Sequence, residues 1–402
     1  MLNARNRRQL RPKRPTAPLG RPGARGAGIP GAATNTSRPM MMAASHPLTD
    51  VQDNNRLFAY ENSVREAFDG IVPALKKISA LQHEGDFVNK AQRIAASQLG
   101  FELPPILLED AWVDQLDMRS LFAWSLFETY RRFSDDVFVN DPLGNNDEAS
   151  FQKTLEDCGF HLMDVSPCAD GRLAHVIRYV LRLPSKAVRR RSYAGAMFDI
   201  DDSLNKWTRT ELVRFREGVP NTADTPTRYL KAVVYHYSSV DPEHQGCAAH
   251  GSDTAKAAAG GLSKLKGFQQ AVQNTHCCGA SIDILLIGMD TDTDSIRIHM
   301  PDANGEIDLN NTIDSMEVFD ATAHMSAVQA EQWIADSIRQ KGGSALAEGM
   351  AGFMASLLKN NLSQVEYVRA FHGGHYSDIG HAERFIGAGI GFEEVQLRNL
   401  TF

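Results

Sequence analysis

A short apolar run, His161–Pro167, ends in Cys168-Ala-Asp170-Gly-Arg172 and gives way to an amphipathic pattern from Leu173 to Leu183. A strand turning directly into a helix is the unit of an open α/β sheet, and the carboxyl ends of such strands face the crevice where ligands bind. That places a thiol, a carboxylate and a guanidinium within five residues at one such turn. Arg172 can keep Asp170 ionised through a charge-assisted, bidentate pair. On this stretch alone, Cys168 is either a metal ligand or a nucleophile.

Two more strands follow. Leu230–Tyr237 is nearly continuous in apolar residues and carries His236 at its carboxyl end; Ile282–Gly288 is the third. Between them lie the loop Glu243-His244-Gln-Gly-Cys247-Ala-Ala-His250 and a small-residue helix from Thr254 to about Gln273. A helix over Glu148–Asp157 precedes the first strand, and helices are expected at Ser326–Gln340 and Ser344–Lys359. Asp290, Asp292 and Asp294 open like a calcium loop, but Ser295 stands at the sixth position and Pro301 at the twelfth, which excludes one. The stretch reads instead as a polar hairpin into a strand at Ser295–His299. The fold class is α/β (α+β over the whole chain), a helical N-terminal domain followed by a mainly parallel sheet flanked by helices.

At 402 residues the chain exceeds one ordinary domain. The first 49 residues hold nine Arg or Lys and no Asp or Glu, so the remaining 33 basic residues face all 49 acidic ones. Residues 1–50 therefore read as a disordered basic tail that suits an acidic partner surface, an Arg-rich transit peptide being the competing reading. Residues 51–145 read as a helical domain: Leu57, Tyr60, Val64, Ala67 and Phe68 recur at helical spacing. Pro73 is expected to break or kink that helix. Helices follow at Phe87–Leu99 and Leu116–Phe138, the last with an aromatic stripe that reads as core. No apolar run reaches the length of a membrane span, and the five cysteines (158, 168, 247, 277, 278) argue for free thiols or metal ligation over a disulfide framework.

Cys168, His236 and Cys247 form a Cys2His set with the soft donors that zinc takes, and three protein ligands leave a fourth position open. His244 competes with His236, because His244 and Cys247 make a literal His-x-x-Cys. A closed structural zinc would need His250 or Cys277 as a fourth ligand. Cys277 and Cys278 otherwise read as packing or site-wall residues. His372, His375, Asp378 and His381 could form a second metal or anion site, or a hydrogen-bonded network.

Strand, Cys-x-Asp-x-Arg, helix, then an apolar strand ending in His followed by a Cys resembles the β-class carbonic anhydrases. Tyr235-His236-Tyr237, Gln245-Gly-Cys247-Ala-Ala-His250-Gly, Cys277-Cys278-Gly279-Ala280 and Gly374-His375-Tyr-Ser-Asp378-Ile-Gly-His381-Ala-Glu-Arg-Phe385 are similar to the divergent carboxysomal shell carbonic anhydrases. The resemblance implies Zn2+ held by Cys168, His236 and Cys247, with Asp170 orienting the water nucleophile and Arg172 holding Asp170. His244 and His250 stand as candidate proton shuttles. It further implies interconversion of CO2 and bicarbonate, run as dehydration to feed ribulose bisphosphate carboxylase on the inner side of a carboxysome shell. The tail would tether the chain to that carboxylase or to shell protein, with no nucleic-acid or membrane partner. A homodimer or multiple of dimers is expected. A scaffold with a structural zinc is the alternative. The catalytic domain would run over 146–390, and 391–402 would start a further C-terminal domain, a degenerate copy without a metal site.

Overall fold

Strand β3 (Arg228–Tyr237) is buried on both faces from Tyr229 onward, and the sheet is built outward from it. In the computed structural model the described residues are 45–109, 121, 124–125, 128–129, 143, 147–173, 175–184, 187–219, 221–222, 227–275 and 281–374. The Leu116–Phe138 helix lies mostly outside them, as does the tail up to residue 44, while Cys277, Cys278, His375, Asp378, His381 and the last strand lie wholly outside.

Six strands take the order β2-β1-β3-β4-β5-β6: β1 Leu162–Pro167, β2 Arg189–Arg190, β3, β4 Ser281–Asp290, β5 Ile296–Pro301 and β6 Ile307–Asp314. The first four run parallel, while β5 and β6 are antiparallel additions at one side. Met163, Val165, Ala232, Val234, Leu285 and Ile287 are fully buried, as strands covered by helices on both faces require. In register, β1 and β3 pair from Leu162↔Tyr229 to Pro167↔Val234, so their carboxyl ends finish side by side.

The helices begin where the sequence caps them. In α1 (Val51–Ala80) the Asp50 carboxylate accepts from Asp53 N–H at 2.9 Å. The next are α2 (Phe87–Ile94), α3 (Pro105–Glu109), α4 (Glu148–Asp157, capped by Asp147) and α5 (Ile200–Arg216, capped by Asp199). Then come α6 (Thr254–Thr275), α7 (Ser315–Thr322), α8 (Ala327–Gly342) and α9 (Glu348–His372). α6 packs on β3 and β4, with α5 against it. Gly261 allows the approach, since a Cβ there would stand 2.9 Å from Val233 and 3.1 Å from Leu286.

The structure corrects three expectations and adds two strands. Pro73 lies inside α1 without breaking it. The carbonyl that loses its partner is that of Asp69, on an exposed turn beside Gly70, where an added Cβ would meet nothing within 4 Å, so water can serve it. Among the described residues of 173–183 there is no regular α-helix. A 3-10 turn (Gly171–Leu173) leads to a π-turn (Val176–Val180) and then Arg182 at φ 51°. Its β-branched residues are weak helix formers, and Leu173, Val176, Ile177, Arg178, Val180 and Leu181 are all buried, so packing overrides periodicity. The helix expected at Ser344–Lys359 starts later and runs to His372, because a 3-10 turn at Gly343–Ala345 delays it and Gly373 at φ 67° closes it. β2 and β6 carried no apolar run; as edge strands they need bury only part of their side chains.

α1 and α2 share an apolar cluster with Leu75, Ile78, Ala91, Leu99 and Leu121, and Leu57 of α1 meets Tyr367 and Val368 of α9. Helix α9 also carries polar side chains inward: Asn361 reaches the Ile296 N–H and the Asp294 carbonyl, and Gln364 reaches Asp294 and Arg182.

Candidate metal centre

Cys168 follows the last residue of β1, and its N–H donates to the Val234 carbonyl of β3 at 2.9 Å. His236 lies next to the end of β3 and is 1% exposed. Cys247 caps a 3-10 turn (Ala248–His250), where its carbonyl accepts from His250 N–H at 3.0 Å and Ser252 N–H at 2.9 Å. Two adjacent parallel strands thus supply two of the side chains, and the loop after β3 folds back to supply the third. A ligand atom of each lies within 4.8 Å of the others, and all three side chains are buried. Among the described residues no other group of three such side chains converges in this way.

The two sulfurs are 3.8 Å apart, far beyond bonding distance. They titrate as a pair. The Cys247 thiol is drawn down to about 7 by the hydrogen bond from Cys168, against burial, with the Ala249 and His250 N–H groups helping. The Cys168 thiol is pushed up to about 12 by that same bond and by burial. His236 Nδ1 is buried without a hydrogen-bond partner. An imidazole nitrogen in that position costs free energy unless a ligand takes it up.

Asp170 and Arg172 form a fork beside this cluster. Asp170 Oδ1 accepts from Arg172 N–H at 3.0 Å and Nε at 2.9 Å, and Oδ2 accepts from Nη2 at 2.9 Å. Burial alone would raise the carboxyl pKa. Hydrogen bonding from Arg172 and the positive charge potential of His236 and Arg172 outweigh it, holding Asp170 below its usual value. Asp170 Oδ2 stands 3.3 Å and Arg172 Nη2 3.2 Å from His236 Nε2. Arg172 Nη1 donates to the Gln245 carbonyl at 2.7 Å and to Thr291 Oγ1 at 3.2 Å.

The remaining histidines are placed elsewhere. The His244 side chain is 78% exposed and pairs with Asp241 at 2.9 Å, outside the cluster. His250 Nε2 lies 3.0 Å from the Gly195 carbonyl, which it meets as a donor, and its ring fills space against Gly195 and Gly260. His372 packs on Tyr367 and faces Glu61 at 3.4 Å. Thr291, Gln245 and the His175–Asp294 pair at 3.4 Å were missed from sequence. The available signal was the Asp290–Ser295 run, which reads as a polar hairpin and is buried throughout.

A family model described as "Carboxysome Shell Carbonic Anhydrase, catalytic domain" matches residues 150–381, and its N-terminal counterpart matches residues 46–138. A carboxysome shell carbonic anhydrase of Prochlorococcus marinus (strain MIT 9313) is 55% identical over 361 residues, covering 89% of this chain and 70% of that protein. That of Parasynechococcus marenigrum (strain WH8102) is 54% identical over 379 residues, 93% of this chain and 65% of the relative. That of Halothiobacillus neapolitanus (strain ATCC 23641 / c2) is 45% identical over 368 residues, 89% of this chain and 72% of the relative. The chain thus spans about two thirds of the length of these relatives. Matched by both family models and by relatives of 45–55% identity across most of its length, the chain belongs to the family of carboxysome shell carbonic anhydrases.

Proposed function

We propose that this chain is a zinc carbonic anhydrase that interconverts CO2 and bicarbonate in a carboxysome, with Cys168, His236 and Cys247 holding the metal. The observation that carries the reading is the convergence of two thiols and one imidazole within 4.8 Å, next to a bidentate carboxylate–guanidinium pair. Two thiolates on a tetrahedral zinc at ~2.3 Å stand roughly 3.8 Å apart, in keeping with the 3.8 Å between Cys168 and Cys247. The orphaned Nδ1 of His236 also fits a site that takes a ligand. When bound, zinc supplies Lewis acidity that brings the pKa of water from 15.7 towards ~7.

The chain's own groups supply the rest. Asp170 stays ionised because Arg172 bonds both its oxygens, so a carboxylate lone pair is available to accept the water proton and fix the direction of attack on CO2. In dehydration the same lone pair positions the hydroxyl that leaves bicarbonate. Arg172 is 4% exposed and held at all three nitrogens, so the carboxylate is oriented before substrate arrives.

Dehydration would supply CO2 to ribulose bisphosphate carboxylase at the inner side of the shell, and the Arg-rich segment 1–50 would tether the chain to that enzyme or to shell protein. We extend the proposal to a helical domain over 51–145, a catalytic domain over 146–390 and assembly as dimers. Among the described residues no helix is long and apolar enough to cross a membrane.

Stopped-flow CO2 hydration with zinc analysis tests the core of this. Wild type should hold one zinc and lose activity on chelation, regaining it on zinc addition. Asp170→Ala should keep zinc yet lose about 10²-fold or more in kcat. Wild type with full zinc and no hydration would point to a scaffold with a structural metal.

A further inference from the structure

We propose that Thr291 is a positioning residue for hydration, holding Arg172 and through it Asp170; the inference rests on the reading of the site given above. Thr291 opens the turn between β4 and β5 and is fully buried. Its N–H donates to the Tyr237 carbonyl at 2.9 Å, and its hydroxyl donates to the same carbonyl at 3.1 Å. With its one proton committed there, Oγ1 presents a lone pair to Arg172 Nη1 at 3.2 Å. The Tyr237 carbonyl is already met by the Thr291 N–H, so the hydroxyl is not needed to satisfy it. The hydroxyl also meets the guanidinium.

The position of that contact matters. Nε and Nη2 of Arg172 face Asp170, which fixes one edge of the planar fork. Nη1 is the far corner. The Gln245 carbonyl holds it from the loop that carries Cys247, and Thr291 holds it from the sheet. Two acceptors from different elements stop the plane from pivoting about either one.

The turn is itself fastened to the strand end that carries His236. Asp290 accepts from Ser239 N–H at 3.1 Å and Ser239 Oγ at 2.6 Å, while Asp292 accepts from Ser238 Oγ at 2.6 Å and Val240 N–H at 2.9 Å. Ser238 to Val240 follow His236 and Tyr237 directly. The turn thus ties Arg172 to the same piece of backbone that places His236.

The test compares full-length, zinc-loaded wild type with Thr291→Val, which keeps the volume and removes the hydroxyl, and Thr291→Ser, which keeps the hydroxyl. Thr291→Ala repeats the removal with a smaller side chain should valine disturb the turn. Thr291→Val is expected to hold full zinc and an unchanged KM while kcat falls about tenfold. Thr291→Ser should stay within about twofold of wild type. A second readout is the visible spectrum of the cobalt(II)-substituted proteins. It should shift in Thr291→Val, as Asp170 loosens beside the metal, and match wild type in Thr291→Ser. Wild-type kcat and spectrum in both hydroxyl-free variants would overturn the inference, as would a loss that serine does not restore or one explained by missing zinc. A wild type that binds metal but hydrates no CO2 would sink the functional reading instead. The cobalt spectra would still decide on Thr291, identical spectra counting against it.

Discussion

Lys231 sits in the middle of β3 with 1% of its surface exposed, and Asp164 faces it from β1 at 3.2 Å. The ammonium also donates to Ser166 Oγ at 2.8 Å and lies 4.4 Å from the centre of the Phe198 ring, while Tyr229 Oη donates to Asp164 at 2.6 Å. Asp164 and Ser166 share one face of β1 and Cys168 follows the strand two residues beyond Ser166, so this network backs the cysteine end of the site. A buried pair of this kind adds little net stability as a pair, but breaking it strands a charge. Lys231→Met is expected to cost about 3 kcal/mol in urea unfolding, and adding Asp164→Asn should recover most of that loss. A Lys231→Met protein as stable as wild type would show that the pair carries no such penalty. The sequence displays Lys231 as a blemish in an apolar run. Its partner, 67 positions away, could not be named without the register of β1 on β3.

At the scale of elements, α9 is the organiser. Its first turn lies against the end of α4, where a Cβ on Gly349 would stand 2.0 Å from the Cys158 carbonyl. Alanine is normally the better helix residue, by about 1 kcal/mol. Here the sign reverses, because the neighbour is backbone and cannot step aside. Gly349→Ala should destabilise by about 3 kcal/mol, read from the denaturation midpoint.

Farther along α9, Glu366 accepts from the His46 N–H at 3.0 Å, docking the residues ahead of α1. The His46 ring is buried, stacked on Phe319. Its Nδ1 accepts from Leu48 N–H at 3.2 Å, which leaves Nε2 to donate to Thr322 Oγ1 at 2.9 Å, and Thr322 passes its own proton to the Val318 carbonyl. That arrangement needs the neutral imidazole. Burial and then the charge of Arg369 pull its pKa from 6.5 to about 4. The unfolded chain takes up the proton first, so this contribution is full above pH 6.5 and is lost as pH falls from 6.5 towards 4. Urea unfolding between pH 8 and pH 5 should lose on the order of 2 kcal/mol through this group. His46→Gln should flatten that part of the profile, and an unchanged slope would exclude His46 as its source.

For the whole molecule, the charge division matters more than the total. A net −7 combines a tail with nine basic and no acidic residues in its first 49 positions and a strongly acidic remainder. The proposed binding of the full chain to the carboxylase or to shell protein should therefore weaken steeply with salt. Replacing Arg7, Arg8, Arg11 and Arg14 by Ser should weaken it at least about tenfold at low salt, as measured by sedimentation or interferometry. Unchanged affinity would sink an electrostatic tether.

The sequence by itself determined what depends on local order and on residue type. It marked three strands, two of them with chemistry at their carboxyl ends, the helix starts near Glu148 and Ser326, the helix end near Leu99, and a thiol–carboxylate–guanidinium turn whose spacing is covalent. Only the tertiary structure decided which distant groups meet. It brought His236 rather than His244 beside the two cysteines, because β3 lies against β1 while the loop after it carries His244 out to solvent. It turned Asp290–Ser295 inward as the brace for Arg172 and His236, and it replaced an amphipathic helix at 173–183 by tighter and wider turns. In each case burial and pairing across the fold outweighed a local preference worth less than about 1 kcal/mol per residue.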